Sequence, residues 1–232
     1  MIGNRPSVLQ MTLLAACLSV AANALADRAF PGQAPDRHLI LIQEKVDSLF
    51  EAGRYERAMF IYRHELAPLG DKYAQYMVGY MYLAGKSVDK DPVTALAWFR
   101  LAAERGEETF VSASDKLTAV LSTEQRARAD AIYMTLRAEL GDMILMMRLV
   151  ESDLQRLASR NTLNTSFNGT AARNGLDRDI LDRQIAARVS ARMRYLDQYL
   201  AAAADASESE LQQLAALDAR VARELGGLEL RR

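Results

Sequence analysis

Few residues of this chain have the types and spacing that catalysis or metal binding requires. The two histidines are His38 and His64, and the pair His64-Glu65 lacks the second histidine that a helical zinc site needs. Ser112 and Ser114 have no candidate base nearby in the sequence, which also has no glycine-rich phosphate loop and no GxSxG elbow. The sequence therefore predicts no catalytic residue, no metal site and no cofactor.

Two patterns keep other chemistry under consideration. Met143, Met146 and Met147 could bind Cu(I), because thioethers are soft ligands, but their interleaving with aliphatic residues on a helix favours core packing. Glu65 and Asp71 would be a catalytic carboxylate pair only if folding brought them together beside a cleft. A small envelope hydrolase or peptidoglycan-acting enzyme is therefore the enzymatic alternative.

The composition predicts an all-helical protein and argues against nucleic acid as a partner. Half of the 232 residues are hydrophobic, and 29 basic residues against 30 acidic ones give a net charge of -1. Alanine, leucine, arginine and glutamate are abundant, there are only five prolines, and no segment has the alternation of a strand.

The most regular pattern lies in residues 73–106. Gly79 lets two helices approach closely, Gly85 is expected as a left-handed helix C-cap, and Asp91-Pro92 reads as N-cap and first helical position. Trp98 is expected in the groove between the two helices. The signature positions of this pattern are Ala74, Gly79, Tyr82, Gly85, Asp91, Ala95, Trp98, Ala102, Ala103 and Gly106.

With these residues at this spacing, the segment resembles one complete unit of the Sel-one-like repeat, a relative of the tetratricopeptide repeat. The resemblance covers about a seventh of the chain. It implies an all-α fold, a short solenoid of helical hairpins, in which first helices line a concave surface that binds other proteins rather than performing chemistry.

The flanking residues extend the array. Residues 39–67 read as an earlier, degenerate unit, and residues 108–120 as a third first helix. Ser122 and Gln125 form a capping box that opens a helix to about Leu140, closed by Gly141. The predicted repeat array with its cap is therefore 39–140.

The C-terminal half is predicted as separate elements. Asp142 is expected to cap a connecting helix over 141–158, and the Asn-, Thr- and Ser-rich residues 159–176 read as a flexible linker. A helical hairpin over 177–227 follows, ended by Gly226-Gly227. The apolar residues along one face of its first helix are also compatible with a coiled-coil dimer seam, so the oligomeric state stays open.

The first 26 residues read as a bacterial export signal. Arg5 precedes an apolar run, and Ala24-Leu25-Ala26 is a small-x-small cleavage pattern, so we expect cleavage after Ala26 and a disordered leader over 27–38. The mature protein would then be periplasmic or secreted and free of cysteine. Residues 14–17 also resemble a lipobox, in which case Cys17 would be lipidated and the protein would be an outer-membrane lipoprotein, an assembly subunit on the membrane.

The residues predicted to bind a partner lie at the start of the regular unit. Tyr73, Tyr76 and Tyr80 recur at helical spacing and share a face, and Arg63 and Lys72 are placed to frame a groove beside them. The alternative is that the tyrosines pack against the preceding unit. The predicted function is a non-enzymatic adaptor of the bacterial cell envelope that holds a protein or peptide segment on the concave face.

Overall fold

The structure, a computed structural model, describes residues 37–163, 171–202 and 208–229, which are helical apart from short turns and contain no strand. The predicted all-α fold is confirmed. The predictions for the export signal, Cys17 and nearly all of the leader fall outside the described residues. The chain divides into two compact units, with the boundary between Leu145 and Met146.

The first unit contains two helical hairpins, α1–α2 and α3–α4, followed by two helices that pack on α4. A π-helical turn, Ile61–Leu66, and a 3-10 turn, Ala67–Leu69, continue α2, and a second 3-10 turn, Ala103–Arg105, continues α4. The helices are α1 (Arg37–Glu51), α2 (Tyr55–Phe60), α3 (Lys72–Ala84), α4 (Pro92–Ala102), α5 (Glu108–Val120) and α6 (Thr123–Leu140).

Local capping residues set the end of α3 and the starts of α4 and α6, as the sequence predicts. Gly85 ends α3 at φ 67°, a left-handed conformation that glycine adopts without strain. The Asp91 side chain accepts hydrogen bonds from two backbone amides of the first turn of α4, at 2.9 and 3.2 Å. Ser122 and Gln125 form both hydrogen bonds of the capping box that begins α6.

Close packing joins α3 to α4 at Gly79. A Cβ at this position would lie 2.7 Å from Cδ1 of the buried Phe99 ring and 3.1 Å from the carbonyl oxygen of Ala95. The Phe99 ring is stacked on Tyr76, with ring centroids 5.0 Å apart, so it has little room to move. The expected close approach at Gly79 is therefore present, and Trp98 is buried in the same core.

The second unit contains most of α7 (Asp142–Leu163) together with α8 (Ala171–Ala202) and α9 (Glu208–Glu229). Its buried apolar side chains come from all three helices, and α8 contacts α9. The predicted hairpin helices are thus present, with different ends.

Two predictions in this region are wrong. The backbone is helical to Leu163 and again from Ala171, so much of the predicted linker 159–176 is helix. Gly226 and Gly227 lie inside α9, which continues to Glu229. A glycine in a helix costs about 1 kcal/mol relative to alanine, a penalty that the packing of neighbouring residues can outweigh.

Replacing Gly79 by alanine is expected to destabilise the first unit by about 1–3 kcal/mol, because the added methyl overlaps the Phe99 ring. Alanine is the better helix former, so propensity alone predicts the opposite sign. Urea unfolding followed by the fluorescence of Trp98, the single tryptophan, reports on this unit. Adding Phe99→Leu to Gly79→Ala should recover part of the lost stability, because the smaller side chain leaves room for the methyl. If the stability losses of the two single variants simply add in the double variant, the clash with Phe99 is contradicted.

Candidate functional site

The three tyrosines predicted to bind a partner lie in the core. Tyr73, Tyr76 and Tyr80 are 6%, 0% and 5% exposed. These positions favour the packing alternative, because a partner could reach the rings only by displacing core contacts. Their role in partner binding stays an untested prediction. The ring neighbours are Tyr62 for Tyr73, Phe99 and Phe110 for Tyr76, and Phe50 for Tyr80.

Helix α3 as a whole is buried, with Tyr82 and Ala84 as its two residues that are not. A helix buried on every side is the central element of a core rather than the lining of an open groove. The expected concave face on α3 is therefore not an exposed surface of the first unit.

Lys72, predicted to frame the groove, is 2% exposed and belongs to a buried ionic network. Its ammonium nitrogen lies 2.8 Å from Oε2 of Glu104 and 3.0 Å from Oδ1 of Asp142. It also donates to the Leu101 carbonyl at 2.8 Å and to the side chain of Gln75 at 3.1 Å. The cation is thus satisfied by groups from the residues after α4 and from the start of α7, and is not available to a partner.

Arg105 completes this network. Its Nε and Nη2 donate to the Asp142 carboxylate at 2.7 and 3.2 Å, and Nη2 also donates to the Gly70 carbonyl at 3.0 Å. With Lys72 and Glu104, the network contains two positive and two negative groups, so its charges balance.

Asp142 does not cap α7, so that prediction is wrong. It is the first residue of the helix, and its carboxylate binds Lys72 and Arg105 instead. The side chain of Glu104 accepts a hydrogen bond from the Asp142 backbone amide at 3.1 Å. Burial raises the pKa of the Asp142 carboxyl, but the charges of Lys72 and Arg105 and their hydrogen bonds outweigh it, and the pKa lies below its ordinary value.

Arg63 is exposed, as a partner-binding residue must be, and it lies beside aromatic rings. Its Nη1 donates to the hydroxyl of half-buried Tyr82 at 2.9 Å. Lys86 follows Tyr82 by four residues, and its ammonium lies 4.5 Å from the centroid of the Tyr55 ring, which contacts Phe50 edge-on at 5.3 Å. We call these five residues the tyrosine edge.

Sequence reasoning missed most of the tyrosine edge. The sequence pattern places Tyr82 only in the repeat signature and gives Tyr55 no role in binding. The separation along the chain between Phe50 and Lys86 hides the fact that α1, α2 and the end of α3 meet at this place. Partly exposed aromatic side chains beside cations are the signal of such a surface. The folded structure shows that they lie together, whereas the spacing of the residues in the sequence does not.

The other candidate chemistry does not assemble in the described part. Asp71 is buried and accepts hydrogen bonds from Gln43 at 2.7 Å and from the Ala74 amide at 3.0 Å, whereas Glu65 is exposed. That difference does not match the shared cleft that the hydrolase alternative requires. Among the residues that the structure describes, no group of three or more His, Cys, Asp and Glu side chains could hold a metal ion. Met143, Met146 and Met147 are each buried.

Comparison with known families agrees with the resemblance seen in the sequence. Residues 72–107 match the Sel1 repeat family model, so α3, α4 and the turns around them form a Sel1 repeat. Comparisons with curated proteins and with solved structures found no match. Across the described ranges, every helix is too short or too polar to be a candidate membrane span.

Changing Asp142 to asparagine is expected to destabilise the first unit by about 3–5 kcal/mol, because the buried Lys72 and the partly buried Arg105 are then left with one carboxylate. Urea unfolding followed by Trp98 fluorescence is the measurement. The matched control is Asp130→Asn, which removes the mostly exposed partner of Arg100 and should cost less than about 1 kcal/mol. Equal losses in the two variants would contradict the analysis.

The pH dependence of the stability difference between the wild type and Asp142→Asn tests whether the charge of Asp142 is responsible. Because the folded-state pKa of Asp142 is lowered, its contribution to stability is present above the unfolded-state pKa, about 3.9. The contribution is lost as pH falls through the folded-state value. The stability difference between the wild type and Asp142→Asn should therefore be full at neutral pH and shrink below about pH 4. A difference that stays constant into acid would assign the effect to packing.

Proposed function

We propose that this chain is a non-enzymatic protein-interaction module of the bacterial cell envelope, which binds a partner segment at the tyrosine edge. The observation that carries the proposal is the Sel1 repeat at residues 72–107, since such repeats generally mediate contacts between proteins and are typically not catalytic. Each unit of such an array exposes surface that a partner can cover.

The tyrosine edge is the surface of the first unit whose chemistry best fits this role. Arg63 and Lys86 form no ion pair with any residue in the described part of the chain, so their charges are open to a partner. Tyr55 and Tyr82 are half-buried and therefore hold fixed orientations while leaving ring surface exposed. Tyrosine and arginine are the residue types that most often dominate binding energy at protein interfaces.

The envelope location rests on residues 1–26, whose charged start, apolar run and Ala24-Leu25-Ala26 site are typical of a secretory signal. Cleavage after Ala26 would leave Asp27 as the first residue of a periplasmic or secreted protein. Processing at the lipobox would instead leave a lipidated Cys17 and tether the module to the membrane as an assembly subunit.

The test is crosslinking in intact cells of the full-length protein, followed by mass spectrometry of the captured proteins and of the mature N-terminus. We expect one reproducible envelope partner. Arg63→Glu combined with Lys86→Glu should reduce its capture about tenfold, because both changes reverse the charge of the surface that the partner is proposed to contact. The matched control is Lys45→Glu with Lys116→Glu, the same charge change at exposed positions of α1 and α5.

Capture that is lost equally in both double variants would reject the tyrosine edge as the binding surface. Retention of a glycan fragment in place of a protein would favour the peptidoglycan-acting alternative. The mature N-terminus decides the location independently: a protein that keeps residues 1–26 and stays in the cytoplasm would overturn the envelope assignment.

A further inference from the structure

A cluster of arginines lies in the second unit, where α7 and α8 meet at Asp153. Arg188 donates to both carboxylate oxygens, from Nη2 at 3.0 Å and from Nε at 3.2 Å. Arg192 Nη1 donates to Oδ2 at 2.6 Å, and Nη1 of Arg156 lies 3.7 Å from Oδ1. We call these four residues the arginine cluster.

The charge of the arginine cluster is unbalanced. Three guanidinium groups face one carboxylate, which leaves a surplus of two positive charges, in contrast to the balanced network around Lys72. Burial lowers the pKa of Arg192 below its ordinary value; Asp153 opposes this effect, while the charges of Arg188 and Arg156 add to it. Asp153 thus attracts the Arg192 guanidinium more strongly than either neighbouring arginine repels it, but one carboxylate neutralises only one of the three positive charges.

A purely structural ion pair does not need all three arginines. Arg192 has a side chain only 7% exposed and also donates to the Leu149 carbonyl at 3.2 Å, so it already joins α8 to α7. The side chains of Arg188 and Arg156 are 34% and 66% exposed. Arg156 lies too far from Asp153, at 3.7 Å, to form a hydrogen bond with it.

Donors in the cluster remain unused. The buried Nε of Arg192 has no hydrogen-bond acceptor among the residues that the structure describes. A guanidinium offers more N–H groups than one shared carboxylate can accept, and those of Arg156 and Arg188 reach solvent. The cluster thus has the charge and the donors to accept a further anion.

We propose that the arginine cluster binds an acidic segment of a protein partner, whose Asp or Glu side chain takes the place beside Asp153 at the solvent side of Arg156 and Arg188. The planar fork of a guanidinium matches a carboxylate in two parallel hydrogen bonds. Arg188 already holds a carboxylate in this geometry, that of Asp153. This site is independent of the tyrosine edge.

The experiment is fluorescence anisotropy of a fluorescein-labelled hexaglutamate peptide titrated with the full-length protein, at low and at physiological salt. We expect binding that weakens with salt. Arg156→Gln combined with Arg188→Gln should weaken it about tenfold, and these changes leave the buried pair of Arg192 and Asp153 in place. If the double variant melts early in circular dichroism, Arg156→Gln alone is used, since this side chain is mostly exposed.

The matched control is Arg183→Gln with Arg194→Gln, which removes two exposed charges from α8 outside the cluster and should leave the affinity unchanged. No binding by the folded wild type overturns the proposal. An equal loss of affinity in the control variant also overturns it, because the attraction would then be general. Competition by inorganic phosphate at equal charge concentration overturns it as well, because the site would then bind any anion. None of these outcomes bears on capture at the tyrosine edge, which is measured separately.

Discussion

The buried ammonium group of Lys72 is the constraint on which the packing of the first unit depends. Removing an ion from water costs several kcal/mol, so this position is tolerated only while acceptors surround the charge. Glu104 and Asp142 supply the opposite charges from two different elements, and Gln75 supplies an oxygen from α3 itself. The start of α3, the turn after α4 and the start of α7 are therefore held together at one point.

That constraint also decides which surfaces remain for recognition. A helix that begins with a buried cation and continues with buried residues on every side cannot also face a partner. The aromatic residues of the first unit are accordingly divided between two tasks. Tyr62, Tyr73 and Tyr76 fill the core, whereas Tyr55 and Tyr82 remain half-exposed beside cations. The exposed aromatic surface of the first unit therefore lies at the end of α3 rather than on its face.

The features that could be predicted from the sequence are those that depend on neighbouring residues. The cap at Asp91, the left-handed Gly85 and the capping box at Ser122 each involve groups within one helical turn. The close approach at Gly79 could be predicted as well, because the repeat pattern places the second helix opposite it. These positions set the end of α3, the starts of α4 and α6, and the close contact between α3 and α4.

What could not be predicted depends on contacts between distant parts of the chain. Asp142 follows a glycine and precedes an apolar helix, which is the pattern of an N-cap, but Lys72, 70 residues earlier, takes its carboxylate. Tyr73, Tyr76 and Tyr80 have the spacing of one helix face, and spacing cannot distinguish a face that is buried from one that is exposed. Deciding between core and interface requires the elements that cover the face.

Net charge has the same limit as a guide to recognition. A total of -1 gives no reason to expect attraction to nucleic acid, yet it averages over surfaces of different local charge. Lys72 and Arg105 are neutralised within the core, while the tyrosine edge and the arginine cluster keep positive charge near solvent. Because the whole molecule is nearly neutral, long-range attraction is weak. For the acidic partner that we propose, we therefore expect selectivity to come from short-range geometry, the fork of a guanidinium and the face of a ring, which act only when the partner's shape also fits.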